Sequence, residues 1–277
     1  MMVMKGFCAA SVLCIAVVFI LISASWAGEV KPSKDGKLSG GKFGEVYECS
    51  FPNTVKVDGD LNELPWQYAP WHTVEHDEGT GPAPGPNDAT LSFAALADSE
   101  WLYVALVITD DKIVTGESLG DSLYQDDSVE IYIDADDAAA GVYEPDDAQI
   151  TIGAVNMDIM DIEEPELGGT GDGAKTGTQA AVIETDDGWI VEAAVPLAND
   201  KWDIEPENGL LIGFNVHFND DDDGGDRDHK LIWSLMDVDD RSWEDTTRFA
   251  DLKFVNIPMA VGPEGKLGAA WGWIKQH

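Results

Sequence analysis

Apolar and polar residues alternate with a period of two along most of this chain, the pattern of strands that bury one face. Between residues 211 and 219, Ile212, Phe214, Val216 and Phe218 point to one side and Asn215, His217 and Asn219 to the other. The stretch 124–152 holds two more runs of this kind. Val129, Ile131 and Ile133 alternate with Glu130 and Tyr132; after an acidic loop, Ile150 and Ile152 alternate with Gln149 and Thr151. If these two strands pair, Glu130, Tyr132, Gln149 and Thr151 share one polar face. That face is either simply wet, as is common for an antiparallel sheet, or the floor of a ligand site.

Turn signals divide the other runs. Asp98-Ser99-Glu100 predicts a hairpin between 89–97 and 101–109, and Asp187-Gly188 a second between 179–184 and 189–195. Strand 101–109 is apolar on both faces, as a central strand would be. Shorter strands are expected at 46–49, 54–57, 71–74, 231–235 and 249–255. Helix is confined to one turn at 62–67, with Trp66 packed inward, and a weak segment at 267–274. About ten short strands predict an all-β fold. The expected architecture is an antiparallel β-sandwich, jelly-roll or immunoglobulin-like, in one domain at 45–257.

The ends differ from this pattern. Lys5, an apolar run at 7–22 and Ser25-Trp26-Ala27 read as a signal peptide at 1–27, cleaved before Gly28; an uncleaved anchor is the alternative. Residues 28–44, rich in Gly, Lys and Ser, read as a flexible linker. The tail 258–277 carries Trp271 and Trp273 and either docks on a protein partner or packs on its own domain. The chain is thus expected to be secreted, periplasmic or on the cell surface, without membrane insertion after cleavage. Cys49 alone remains after cleavage, so no internal disulfide forms.

Charge adds a constraint. Sixteen basic side chains face 53 acidic ones, a net charge of −37. Self-repulsion on this scale opposes compaction, and divalent cations in carboxylate loops would relieve it. Nucleic acid and anionic membranes are poor partners for such a field. Asp110 and the pair Asp126-Asp127 lie at strand ends, where loops can converge oxygen ligands on calcium. Asn219 to Gly224 resembles the first half of a calcium loop, but Lys230 stands where its glutamate belongs, and no helices flank it. His72 and His76 have no zinc geometry on a strand. Neither a Gly-Xaa-Ser-Xaa-Gly elbow nor a phosphate-binding glycine loop is present. Trp243 sits in a polar loop, either as an exposed ring of the kind sugars stack on or packed under the sheet.

Several segments together resemble the family 9 carbohydrate-binding modules. They are Val57-Asp58-Gly59-Asp60-Leu61-Asn62-Glu63, Leu102-Tyr103-Val104, Asp127-Ser128-Val129-Glu130-Ile131-Tyr132-Ile133-Asp134, Asp146-Asp147-Ala148-Gln149, Gly188-Trp189-Ile190-Val191-Glu192, Ile212-Gly213-Phe214-Asn215-Val216, and Trp233-Ser234 followed by Ser242-Trp243. The resemblance implies a calcium-containing β-sandwich that binds a poly- or oligosaccharide without catalysis. In that family two tryptophans clamp a sugar ring. Trp243 matches the second, and the first falls on Tyr124. The sugar-bonding glutamate and glutamine match Glu130 and Gln149. An arginine of the family pattern is replaced by Thr151, and an asparagine by Asp240. The calcium pattern falls on Asp110, Asp126 and Asp127. Two alternatives from other classes are a haem-binding electron-transfer domain of related fold, with Met157, Met160 and His217 as conceivable ligands, and a surface-assembly module.

Overall fold

The alternating runs become strands in the computed structural model, which describes residues 45–78, 82–154 and 166–258. Among the described residues these are β1 (Val46–Phe51), β2 (His72–Val74), β3 (His76–Asp77), β4 (Thr90–Ala97), β5 (Trp101–Thr109), β6 (Ser128–Asp134), β7 (Asp147–Gly153), β8 (Leu167–Gly168), β9 (Gln179–Thr185), β10 (Gly188–Pro196), β11 (Leu211–Asp220), β12 (His229–Ile232) and β13 (Ala250–Asn256). One short helix, α1 (Leu64–Tyr68), holds the buried Trp66. Both turn-marked hairpins form, β4–β5 and β9–β10. The proposed signal, linker and tail, together with Met157 and Met160, lie outside the described residues.

Two expectations need correction. The strands form one continuous sheet, in the order β8-β7-β6-β11-β13-β1-β4-β5-β10-β9, rather than two separate ones. Nor is it purely antiparallel: β1 runs parallel to β13 over six residue pairs and parallel to β4 at Ser50–Leu96. A parallel neighbour requires a long crossover, and here nearly the whole domain lies between β1 and β13. The sheet curls, as long twisted sheets do, so that both halves face one core. Val129, Ile131 and Ile150 from one half share that core with Val104, Leu106 and Val191 from the other. Phe93, Phe214 and Trp233 join the halves, with ring centroids 5.1–6.1 Å apart.

β11 positions the functional face. One edge pairs along its length with β6. The other is divided, Leu211–Phe214 pairing with β13 and His217–Asp220 with β12. Cross-strand rows follow directly: Thr151–Glu130–His217 and Gln149–Tyr132–Asn215. The predicted polar face is therefore real, and its residues are buried. The strand expected at 231–235 stops at Ile232. The side chain of Asn215 takes the Ser234 amide (2.9 Å) and Ser234 Oγ donates to Arg248 O (2.6 Å), which pulls the chain off the edge and leaves Leu235 exposed.

Segment 54–57 is not a strand either. It packs as a loop on the outer face of the sheet, with Val55 against the small cluster around Trp66. A buried carboxylate pins it. Glu192 on β10 accepts the Asp58 and Gly59 amides, both at 2.9 Å, and the Trp66 indole N–H at 2.8 Å. Gly59 is required there, because its φ is +79° and a Cβ would strike Ile183 at 2.4 Å. Glu192→Ala strips three donors, two of them buried, of their acceptor, so unfolding in urea is expected to show a loss of about 3 kcal/mol.

Candidate functional site

The buried polar face of β6, β7 and β11 is organised around one carboxylate. Glu130 has no solvent exposure. Its Oε1 accepts from Gln149 Nε2 at 2.9 Å. Its Oε2 accepts from Tyr132 Oη (2.5 Å), His217 Nδ1 (3.1 Å) and Lys230 Nζ (2.9 Å). Burial alone would raise its pKa, but the Lys230 charge and the His217 hydrogen bond outweigh it and hold the carboxyl well below the usual range. His217 is held neutral by burial and by Lys230. With Nδ1 donating to Glu130, its Nε2 accepts from Asn215 Nδ2 at 2.7 Å. Both ring nitrogens thus face protein groups, and the ring has no solvent exposure.

Above this floor opens a cleft of about 800 Å³. It is lined by all six residues expected to meet a ligand: Tyr124, Glu130, Gln149, Thr151, Asp240 and Trp243. Tyr124 lies in the 3-10 turn Gly120–Gln125 and is 38% exposed; Trp243 is 47% exposed, which rules out packing under the sheet. The Trp243 indole N–H donates to Asp240 O at 3.1 Å. Asp240 has φ +49°, a left-handed conformation that short polar residues tolerate best. Lys230 Nζ bridges Asp240 Oδ1 and Glu130, both at 2.9 Å, and Arg227 pairs with Asp240 Oδ2.

Among the cleft residues that escaped the sequence reading, three shape the site most directly. Lys230 and Arg227 bring cations to a face where Thr151 replaces an arginine, reaching it from β12 and the acidic turn before it. The only signal for Lys230 was a lysine inside a short apolar strand of a very acidic chain. Thr170, the third, belongs to the Gly-rich break, which forms the remaining side. Its amide donates to Gln149 Oε1 (3.2 Å), its carbonyl accepts the Gln149 amide (3.0 Å), and Gln149 is thereby fixed toward Glu130. Glycine allows this approach: a Cβ on Gly169 or Gly173 would lie 2.1 or 1.8 Å from Gln149 O.

Beside the cleft lies a carboxylate corner. Asp110, Asp127 and Asp220 each place an oxygen within 4.8 Å of the others. Burial, reinforced by the neighbouring acids, pushes Asp127 up to about 9 and Asp220 to about 8, and Asp110 is raised too. Asp220 Oδ2 is buried without a protein partner. Hard oxygen donors in this crowding fit a calcium-sized cation. Asp126, expected among them, turns away: its Oδ2 accepts the Glu117 and Ser118 amides at 2.9 and 3.1 Å. Adjacent residues of an extended chain point oppositely, so only one of the Asp126-Asp127 pair can face the corner, and β11 supplies the third acid. His72 packs among Tyr47, Phe93 and Trp233, while His76 pairs with Glu78, so they form no joint site.

Comparison with known proteins places the fold among carbohydrate-binding modules. A solved structure of a family 9 carbohydrate-binding module from Caldicellulosiruptor kristjanssonii in complex with cellotriose matches with a TM-score of 0.62 at 22% identity, covering 80% of this chain and all of that one. The corresponding glucose complex gives the same TM-score at 21% identity, over 79% of this chain and all of the other. At these identities the match concerns the fold. Endo-1,4-beta-xylanase A of Thermotoga maritima is 31% identical over 237 residues, 83% of this chain but 20% of the xylanase. The chain thus spans about a fifth of the length of the curated relatives it matches. The model of the carbohydrate family 9 binding domain-like family matches residues 57–256, and with most of its length covered the chain belongs to that family.

Proposed function

We propose that the cleft between Tyr124 and Trp243 binds a neutral gluco-oligosaccharide, without catalysis, on an exported protein that carries calcium beside the site. One observation carries this reading: two half-exposed aromatic rings flank a single cleft whose floor is a rigid polar network. Such rings match the apolar C–H faces of a pyranose, and the polar residues match its hydroxyl rim. Neutrality follows from the cations. Lys230 is shared by Glu130 and Asp240, Arg227 pairs with Asp240, and Lys175 pairs with Asp172. An acidic sugar would have to break one of these pairs.

The same network argues for binding over hydrolysis. Glycoside cleavage needs a carboxyl that holds a proton near neutrality and a second carboxyl facing it. Glu130 is held ionised, fully buried and engaged by four donors, and Asp240 is neutralised by two cations. Glu130 therefore holds no proton to lend in the cleft. Export rests on the apolar run at 7–22 and the small residues before Gly28.

Calorimetric titration of the full chain with cellotriose, in calcium, is expected to release heat. Tyr124→Ala and Trp243→Ala should each raise Kd at least tenfold, by about 1.5 kcal/mol. Absence of heat with cellotriose, xylotriose and glucose alike would sink the assignment. Lys230→Met leaves the Glu130 charge buried beside one fewer cation, and chemical denaturation should show a loss of about 3–5 kcal/mol.

Calcium should have its own signature. Asp127 and Asp220 have pKa values raised by folding, so in chelator the folded state loses stability as pH climbs from the unfolded carboxylate value, near 4, towards 8–9. A bound cation keeps these groups ionised and removes that loss. At one fixed calcium concentration, 100 times the Kd at pH 8, the gain in Tm should therefore be roughly 5–10 °C at pH 8 and shrink towards pH 5, where protons compete for the same carboxylates. Asp127→Asn should abolish most of it; a Tm indifferent to calcium would exclude the ion from this corner.

A further inference from the structure

We propose that Arg227 is the positioning residue of the cleft, tying Tyr124 to Trp243 and thereby setting the gap between the two aromatic walls. Neither wall is fixed by burial, since both rings are more than a third exposed. Their placement must come from directional contacts, and Arg227 makes or anchors those contacts on both sides. Its guanidinium carbon lies 5.2 Å from the centroid of the Tyr124 ring. Its Nη2 pairs with Asp240 Oδ2, and the carbonyl of Asp240 accepts the Trp243 indole N–H. A continuous path of contacts therefore runs from one wall, through one arginine, to the other.

Three further features make the path stiff. Gln125 Nε2 donates to Asp226 Oδ1 at 3.0 Å, so the turn carrying Tyr124 is held to the turn carrying Arg227 at two consecutive residues. Asp240 sits at φ +49°, and its second carboxylate oxygen is held by Lys230 at 2.9 Å. The Arg227 and Asp240 side chains are only 22% and 18% exposed, so water screens their pairing less than it would at the surface. The residue type also matters. Arginine alone offers a flat face for the tyrosine ring and in-plane N–H groups for a carboxylate at the same time; lysine can keep the charge but not the stack.

The consequence for ligand affinity rests on the reading of the cleft as a sugar clamp; the consequence for the walls does not. The test therefore has two arms. In the full chain labelled with fluorotryptophan, the Trp243 resonance is assigned by its loss in Trp243→Phe. Arg227→Gln should move that resonance while the other indole resonances and the Tm stay in place, and Arg227→Lys should move it less. In calorimetry with cellotriose, Arg227→Gln should raise Kd five- to tenfold and Arg227→Lys two- to threefold. A Trp243 resonance unmoved in Arg227→Gln overturns the proposal, as does a moved resonance with Kd within twofold of the parent. Displacement of all indole resonances with a lowered Tm also overturns it, since Arg227 would then support the fold at large. If the parent chain gives no heat with cellotriose, the sugar assignment fails, and the fluorine arm alone decides the role of Arg227.

Discussion

A single ionised carboxylate, sealed from water, governs the architecture of this cleft. An isolated charge at the position of Glu130 would be prohibitive, and it is tolerated because four donors converge on it. Those donors come from β6, β7, β11 and β12, so satisfying one group fixes four strands against one another. The demand then propagates outward. Gln149 needs Thr170 for its remaining oxygen, and this draws the Gly-rich loop onto β7. Lys230 has charge left for Asp240, and this draws in the loop that bears Trp243. The Trp243 wall is thus tied to the floor through Lys230 and Asp240.

The opposite electrostatic problem lies a few residues away. At the Asp110–Asp127–Asp220 corner, acids converge with no base among them. There the molecule must either hold protons or recruit positive charge from solution. Three positions at the start of β6 thus separate two answers to buried negative charge: an internal lysine at Glu130, and at Asp127 a set of oxygen donors that a hard cation suits. In a chain of net charge −37, basic side chains are scarce, and spending Lys230 and Arg227 on the cleft leaves the corner dependent on its surroundings.

Much of this was legible in the alternation of residues. The period of two marked β6, β7 and β11, and it put Glu130, Gln149 and Thr151 on one face before any strand pairing was known. Asp98-Ser99-Glu100 and Asp187-Gly188 marked two hairpins, because local turns bring together neighbouring strands. What failed was long-range. The partnership of β1 with β13 joins residues about 200 positions apart and leaves no trace in either segment. Asp220 could not be chosen over Asp126 without knowing that the end of β11 lies beside the start of β6. Lys230 was noticed only as a residue unsuited to a calcium loop; its real role depends on β12 taking the second half of the β11 edge. Segment 54–57 has strand composition but packs as a loop, because Glu192 offers its neighbours hydrogen bonds that a ladder would otherwise supply.

The parallel pairing of β1 and β13 has a mechanical meaning. Val46 opens one strand and Asn256 closes the other, at opposite ends of a shared ladder whose length is about 17 Å. A pull applied at these two residues loads all six rungs together, in shear, instead of peeling them one at a time. The domain is therefore built to carry tension along its own axis. These two strands, first and last in chain order among the described residues and neighbours in the middle of the sheet, would yield abruptly rather than progressively, with the cleft on β6, β7 and β11 standing beside the load path and not within it.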